Sequence, residues 1–331
     1  MSRKKLRWGI LSTAKIAREK LIPAINASSM NEVVAVASRT EEQATAFAAE
    51  HGLPLAFADY QHLLVSKDVD VIYNPLPNHL HIPWTIKAIE AGKHVLCEKP
   101  IGLNVEDTQK LMNVVGRHPS IKVMEAFMYR FHPQWPLARD LIIDGKIGKI
   151  NSIDTVFTYF NRDPKNVRNM LGIGGGGMLD IGCYCISAAR YLMGREPERV
   201  VAALTMDDDF LVDCQGNGIL DFGDARAHVY CSTQTEPTQR VQVSGEAGSL
   251  LMEYPFYQPH NSMATLQFSH KGVREVIETE VCDHYLKQVD AMANAILQGI
   301  AVPTPLTDAL NNMRVIDAVF ASHEQGGWMK V

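Results

Sequence analysis

Apolar residues follow two different rhythms along the chain, and the change comes near residue 124. In the first stretch, short apolar runs at 6–12 (LRWGILS), 32–38 (EVVAVAS), 54–58, 70–73 (DVIY), 93–97 (KHVLC) and 121–124 (IKVM) alternate with segments of helical period. Strands buried on both faces read as continuous apolar runs, so this alternation predicts a parallel α/β sheet. The intervening helices are predicted over about 15–27, 41–51, 59–66, 79–91 and 104–117. Thr40 followed by Gln43 has the form of a capping box, and Asn104 that of an N-cap. Pro23, inside the first helical segment, should kink or shorten it.

From about 147 the chain becomes strand-rich, with segments at 148–160, 197–206, 216–222, 225–234, 239–246, 248–254, 264–270 and 273–281. Gly223-Asp224, Glu246-Ala247-Gly248 and Lys271-Gly272 supply hairpin turn chemistry between them, which predicts a mostly antiparallel sheet. Helices interrupt it at about 133–144 and 178–193. Two more, at about 282–298 and 305–324, close the chain with apolar residues at a 3.6 period. The expected organisation is thus a doubly wound parallel sheet over 1–124, followed by an α+β domain over 125–331 with a large, open-faced antiparallel sheet.

Composition changes this picture only by exclusion. At 331 residues the length suits two domains, and 46% apolar with 21% charged residues is an ordinary globular balance. The 32 basic and 37 acidic residues give a formal charge of −5, which offers no general field for gripping nucleic acid. The six cysteines show no C-x-x-C spacing, so reduced thiols and a cytoplasmic setting are expected, with no metal centre. No uncharged stretch is long enough for a membrane span, and no membrane partner is expected.

The chemistry concentrates at predicted strand ends. After the first strand, Ser12, Ala14 and Ala17 occupy the three small positions of a dinucleotide-binding turn, with Thr13 and Ile16 between them. Small size is kept there although glycine is not, and a plain βα turn remains open. After the second strand, Ser38-Arg39 stands where NAD-selective sites place a carboxylate. A hydroxyl and a guanidinium suit a 2′-phosphate, which favours NADP over NAD. Pro75, Asn78 and His81 follow the fourth strand and Glu98-Lys99-Pro100 the fifth, both at ends where open α/β sheets bind ligands. His79 and His81 are two apart without an acidic or thiolate cluster, so structural roles outweigh metal binding. Gly174 to Gly177 precede a helix as in a phosphate-binding loop, but the Lys-Ser/Thr pair is absent, which rejects an NTPase. On that helix Asp180 and Tyr184 are four apart. A Tyr184 paired with Lys99 would have its phenolate favoured, and a buried core tyrosine is the competing reading.

Taken as a set, these residues resemble the glucose-fructose oxidoreductase, inositol dehydrogenase and rhizopine-catabolism family. The resemblance rests on the glycine-poor turn from Gly9 to Ala17, on Ser38-Arg39 and on Ala91-Gly92-Lys93-His94-Val95-Leu96-Cys97-Glu98-Lys99-Pro100. It extends through Glu125-Ala126-Phe127-Met128-Tyr129-Arg130-Phe131-His132-Pro133 and Gly175 to Tyr184, and so spans essentially the whole chain. It implies a Rossmann domain, an open-faced sheet domain that commonly forms a homodimer, and an active site between domains with the nicotinamide near Glu98-Lys99-Pro100. Inositol-dehydrogenase-like members carry His where this chain has Tyr184. That departure implies the branch similar to NADP-dependent D-xylose 1-dehydrogenase and dimeric dihydrodiol dehydrogenase. The implied reaction is hydride transfer between nicotinamide and a carbinol carbon of a sugar or cyclic diol. Tyr184 is then acid/base, Lys99 its assistant and Asp180 the substrate-positioning group, while Asn166, Arg168 and Phe160 are weaker substrate contacts. An oxidoreductase that retains its cofactor, a reductase of an anhydro-ketose or dicarbonyl, and a cofactor-binding regulator remain as alternatives.

Overall fold

The apolar runs of the first stretch pair as a six-stranded parallel sheet, because alternating helices cover both of its faces. The computed structural model describes residues 5–258 and 262–331. Strands β1 (Leu6–Leu11), β2 (Asn31–Ala37), β3 (Leu55–Phe57), β4 (Val71–Asn74), β5 (His94–Cys97) and β6 (Val123–Glu125) lie in the order β3-β2-β1-β4-β5-β6. Every pair is parallel. This is the doubly wound order, and it reverses between β1 and β4, where ligand crevices form at the carboxyl ends of the strands. Helices α1 (Ile22–Ala27), α2 (Glu41–His51), α3 (Tyr60–Val65), α4 (His81–Glu90) and α5 (Val105–Arg117) connect the strands. Trp8, Ile10, Ile72, Val95 and Leu96 are fully buried in the sheet.

Local chemistry sets the helix boundaries. Thr40 accepts the Gln43 N–H at 3.3 Å and Asn104 accepts the Asp107 N–H at 2.8 Å, so both capped helices begin where expected. The capping box at Thr40 is half made, because the Gln43 side chain turns to the Ser38 hydroxyl at 3.0 Å instead. The helix after β1 opens into a π turn over Ala17–Leu21, and α1 restarts with Pro23 in its first two positions. A proline has no N–H to donate and its ring crowds the carbonyl four residues back, so the ladder widens there to a bond from the Ile22 N–H to Ala17 O.

The strand-rich stretch forms a nine-stranded sheet. After α6 (Gln134–Ile143) come β7 (Ile150–Phe160), α7 (Cys183–Met193), β8 (Arg199–Met206), β9 (Asp213–Asp221) and β10 (Arg226–Ser232). The chain continues through β11 (Gln234–Gly245), β12 (Gly248–Met252), β13 (Thr265–His270) and β14 (Val273–Glu278). The last elements are α8 (His284–Gln298), α9 (Leu306–Gln325) and β15 (Met329–Lys330). The order is β14-β13-β12-β11-β7-β10-β9-β8-β15. All pairs are antiparallel except β7 with β10, and the three glycine-bearing turns join β9 to β10, β11 to β12 and β13 to β14 as hairpins. Ile153, Thr155, Ala227, Val229, Cys231 and Leu220 are buried on the face against which α7 packs. The opposite face presents Asp154, Val156, Val201, Ile219, His228 and Tyr230 as the lining of an open groove.

The chain separates into two compact units, Met1–Met128 with Asp283–Leu310, and Tyr129–Cys282 with Asn311–Val331. This differs from an undivided second part over 125–331, because α8 packs with the first unit. Asp290 on α8 accepts from Ser28 Oγ at 2.5 Å and from Asn31 Nδ2 at 3.3 Å, and Asn31 Oδ1 accepts the Trp8 indole N–H at 2.8 Å. A buried polar hub thus ties α8 to β1 and β2.

Ser12, directly after β1, holds φ at +74°. For an L-residue this left-handed conformation costs about 1–2 kcal/mol, and a β-branched side chain tolerates it least. Ser12→Val should therefore lower unfolding free energy by about 1–2 kcal/mol while Ser12→Gly does not lower it, as measured by urea denaturation. A Val variant as stable as the parent would contradict the assignment of backbone strain to this position.

Candidate functional site

In the first unit the candidate residues stand where β1, β2, β4 and β5 end. Ser12, Thr13, Ala14 and Ile16 are half-buried around the turn into the first helix, and the Ser12 N–H donates to Ala37 O at 2.8 Å. That bond fastens the turn to the end of β2, which leads directly into Ser38-Arg39. Ser38 is 3% exposed and its hydroxyl donates to Gln43 Oε1 at 3.0 Å. Arg39 is exposed and lies near enough to Tyr60 for its charge to act on that phenol.

The loops after β4 and β5 are braced from within. Asn74 donates to His81 O at 3.0 Å and to Thr85 Oγ1 at 3.2 Å, and accepts the Leu76 N–H at 3.3 Å. His81, expected at the cofactor, is instead part of this brace. It is 1% exposed, with Nδ1 2.8 Å from Pro100 O and Nε2 2.7 Å from Leu76 O. Burial pushes its pKa down to about 4, against the pull of the two carbonyls. Held neutral, the imidazole has a single N–H and donates to one of these two carbonyls at a time. Pro75 and Asn78 stay half-buried on the same loop. Lys99 is 8% exposed, its peptide bond to Pro100 is cis, and neighbouring Glu98 accepts the Tyr73 hydroxyl at 2.6 Å. Glu125 at the end of β6 is also buried, and its Oε1 accepts the Ile101 N–H at 2.8 Å, steadying the segment after Pro100.

In the second unit the centre is Asp180, 7% exposed, in a π turn over Met178–Gly182 that runs straight into α7. Its Oδ1 lies 2.8 Å from Arg168 Nε, and its Oδ2 accepts the Tyr159 hydroxyl at 2.6 Å. Burial and the Asp180 charge hold the Tyr159 phenol far above its ordinary pKa, so it stays a donor. Tyr159 was not singled out as part of this group, because 21 positions separate it from Asp180. Arg168, expected as a substrate contact, pairs with Asp180, and Asn166 accepts the Arg168 backbone N–H at 3.0 Å as a turn residue. Phe160 is 64% exposed at the end of β7.

Tyr184, one turn beyond Asp180, is 1% exposed within a nest of rings. Tyr129, Phe157, Phe256 and Tyr257 lie 5.6, 5.6, 5.4 and 6.4 Å away by centroid. Tyr129 is itself pinned, its hydroxyl 2.7 Å from Ser187 Oγ and accepting from Arg130 Nε at 3.1 Å. The nest fixes the plane of the Tyr184 ring and excludes water from around it. The arrangement offers a buried phenol beside a carboxylate whose two oxygens are both engaged.

Comparison with known proteins agrees with this architecture. The oxidoreductase family model with an NAD-binding Rossmann fold (GFO/IDH/MocA) matches residues 6–127, and the GFO/IDH/MocA C-terminal domain matches 135–251. D-xylose 1-dehydrogenase (NADP(+)) 2 of Haloferax volcanii is 36% identical, covering 97% of this chain and 98% of its own. Trans-1,2-dihydrobenzene-1,2-diol dehydrogenase of Xenopus tropicalis is 32% identical over 76% of this chain and 77% of its own. KijD10, a 3-ketoreductase from Actinomadura kijaniata solved with NADP and TDP-benzene, superimposes with a TM-score of 0.90 at 31% identity, covering 96% of this chain and 98% of that one. KijD10 has also been solved as tyrosine-to-phenylalanine and lysine-to-alanine variants. This chain is a member of the GFO/IDH/MocA oxidoreductase family.

Proposed function

We propose that the protein is an NADP-dependent dehydrogenase or reductase acting at a carbinol carbon of a sugar or cyclic diol, with Tyr184 as acid/base and Lys99 assisting it. The observation that carries this reading is how the polar groups around Asp180 are engaged. Tyr159 donates to Asp180 and Arg168 is paired with the same carboxylate, and one turn further along Tyr184 is 1% exposed among aromatic rings. A phenol removed from bulk water exchanges its proton with a bound hydroxyl rather than with solvent. The relatives solved or named with NADP support the choice of cofactor, and the tyrosine and lysine variants of KijD10 support the choice of residue types.

The residues of the first unit fit a phosphorylated dinucleotide. Ser12 adopts the left-handed backbone that the first glycine of such a turn ordinarily supplies, and Ser38-Arg39-Thr40 carries no carboxylate to repel a 2′-phosphate. Ser12, Thr13, Ala14 and Ile16 would hold the pyrophosphate, Arg39 the 2′-phosphate, and Pro75, Asn78, Glu98 and Lys99 the nicotinamide side. When bound, the cofactor supplies or accepts the hydride. In oxidation Tyr184 removes the hydroxyl proton, with Lys99 favouring its phenolate and bonding the substrate oxygen. In reduction the same phenol returns the proton. Asp180 holds Tyr159 in place and keeps Arg168 oriented so that its remaining N–H groups can donate toward the substrate. We further propose that a second copy of the chain covers the outer face of the nine-stranded sheet, where Val156, Val201, Ile219 and Tyr230 are only partly buried.

Tyr184→Phe should lower kcat by about a hundredfold to ten-thousandfold, the usual worth of a general acid/base, with NADPH affinity by fluorescence titration unchanged within about twofold. Unchanged turnover would remove Tyr184 from the mechanism. Initial rates across aldopentoses, aldohexoses, inositols and cyclic diols should favour NADP+ over NAD+. Arg39→Ala should then cost about tenfold to a hundredfold in kcat/KM for NADP+ alone, as expected for one charge-assisted hydrogen bond, and an equal loss with NAD+ would refute its role at the 2′-phosphate. In sedimentation the protein should run as a dimer that Ile219→Arg dissociates; a monomeric parent would contradict the proposed face.

A further inference from the structure

Asp213 has no part in the roles proposed above, yet it is a buried carboxylate in contact with the segment that carries them. It opens β9, is 3% exposed, and its Oδ2 accepts the Met178 N–H at 2.6 Å. Its Oδ1 occupies the space where a β-carbon on Gly176 would come within 2.1 Å, and a β-carbon on Gly177 would lie 3.5 Å from Oδ2. Gly176, at φ +111°, also donates its N–H to Arg168 O at 2.8 Å. Gly176, Gly177 and Met178 therefore close around a single carboxyl side chain. A glycine-rich run leading into a helix is an anion cradle by its backbone N–H groups. Here the anion it holds is supplied by the protein itself, which explains why the run lacks the lysine and hydroxyl of a phosphate loop.

Resting on the function proposed above, we infer that Asp213 is a positioning residue. By seating the glycine run and the first turn of the helix, it sets where Asp180 and Tyr184 stand and holds Arg168 against Asp180. The π turn that Asp213 anchors contains Asp180 two residues after Met178, and α7 continues from it to Tyr184 without a break. A carboxylate deleted at this point frees the turn to slide, which misplaces a phenol whose usefulness depends on sub-ångström alignment.

The seat also titrates. Burial pushes the Asp213 carboxyl up to about 7; the N–H groups of Met178, Gly177 and Asp213 oppose that rise, and the Asp180 charge adds to it. Cys231 on β10 and Cys214 on β9 also feel the Asp213 charge. Ionisation strengthens the bond to the Met178 N–H, so the seat tightens as pH rises through 7. For folding the sign is opposite. A carboxyl with a raised native pKa contributes stability that is full below its unfolded pKa near 4 and lost as pH climbs to about 7.

The test compares the parent protein with Asp213→Ala and Asp213→Asn, using the best sugar or diol substrate with NADP+ from pH 5.5 to 9 and urea unfolding of the same proteins. Asp213→Ala should lose about tenfold or more in kcat with KM for NADP+ unchanged within about twofold, since the cofactor turn is untouched. Asp213→Asn, which keeps an acceptor for the Met178 N–H, should restore most of kcat and lose an inflection near pH 7 that the parent shows. A folded Asp213→Ala with parental kcat, or an Asp213→Asn profile that keeps the inflection, would overturn the inference; should the alanine variant not fold, the asparagine profile decides alone. A parent inactive on every sugar and diol would sink the proposed function and leave the seat to the unfolding arm. There the unfolding constant of the parent relative to Asp213→Asn should rise by up to about tenfold per pH unit between about pH 4 and 7, and a flat ratio would refute the buried titrating seat.

Discussion

Each candidate residue of this protein lies on a loop or helix start where backbone N–H and C=O groups run out of sheet or helix partners, and buried groups of that kind must be matched without water. The matching is done by a small set of buried side chains. Asn74 and His81 bind the loop after β4 to itself and to Pro100. Glu125 takes the Ile101 N–H, and Asp213 takes the Met178 N–H. Because each of these side chains has its partners fixed, Lys99 and Asp180 inherit fixed backbones. The polar groups that look most chemical in the sequence are therefore divided between those that hold the loops and those the loops present.

The parallel sheet was legible because strands buried on both faces leave uninterrupted apolar runs, and all six runs became strands in the doubly wound order. The hairpin turns and the caps at Thr40 and Asn104 were legible for a similar reason, since their chemistry is local. What escaped was long-range. The period of α8 announces a helix but not the core it joins, which is decided by Asp290 meeting Ser28, 262 positions away. The parallel pairing of β7 with β10 leaves no local trace either, because their connection runs through α7, β8 and β9. Tyr159 and Asp213 reach the π turn from 21 and 35 positions away, and neither sits in a recognisable motif. His81 shows the converse: its motif is conspicuous, while the two carbonyls that face its ring come from Leu76 and from Pro100 on another loop.

Both units contain a π turn next to candidate residues, Ala17–Leu21 directly after Ile16 in one and Met178–Gly182, which includes Asp180, in the other. The first has a local cause in Pro23. The second has no proline and is anchored instead by Asp213, and its wider turn carries Asp180 in the segment directly ahead of α7. Widened turns of this kind are uncommon and recur at functional sites, because they shift the register of every side chain that follows. Here the register shift is what permits one short segment to offer Asp180 to Arg168 and Tyr159 while the next turn places Tyr184 among four rings.

The glycine-poor turn after β1 shows the same economy from the backbone side. Its conformation is the one a glycine would ordinarily adopt, and Ser12 takes it at positive φ. A residue held in an unfavourable backbone state persists only when its surroundings over-determine it. The bond from the Ser12 N–H to Ala37 O does part of this, and it joins the turn to the end of β2. The consequence reaches Arg39. A cation at the start of α2 is disfavoured by the helix dipole, and Glu41 and Glu42 in the first turn offset that only in part. An anion delivered between the Ser12 turn and the end of β2 would reverse that sign, favouring both the exposed guanidinium and the strained turn beside it. The strain at Ser12 is thus a cost in the free protein that a phosphorylated ligand would offset while giving the exposed Arg39 guanidinium a partner.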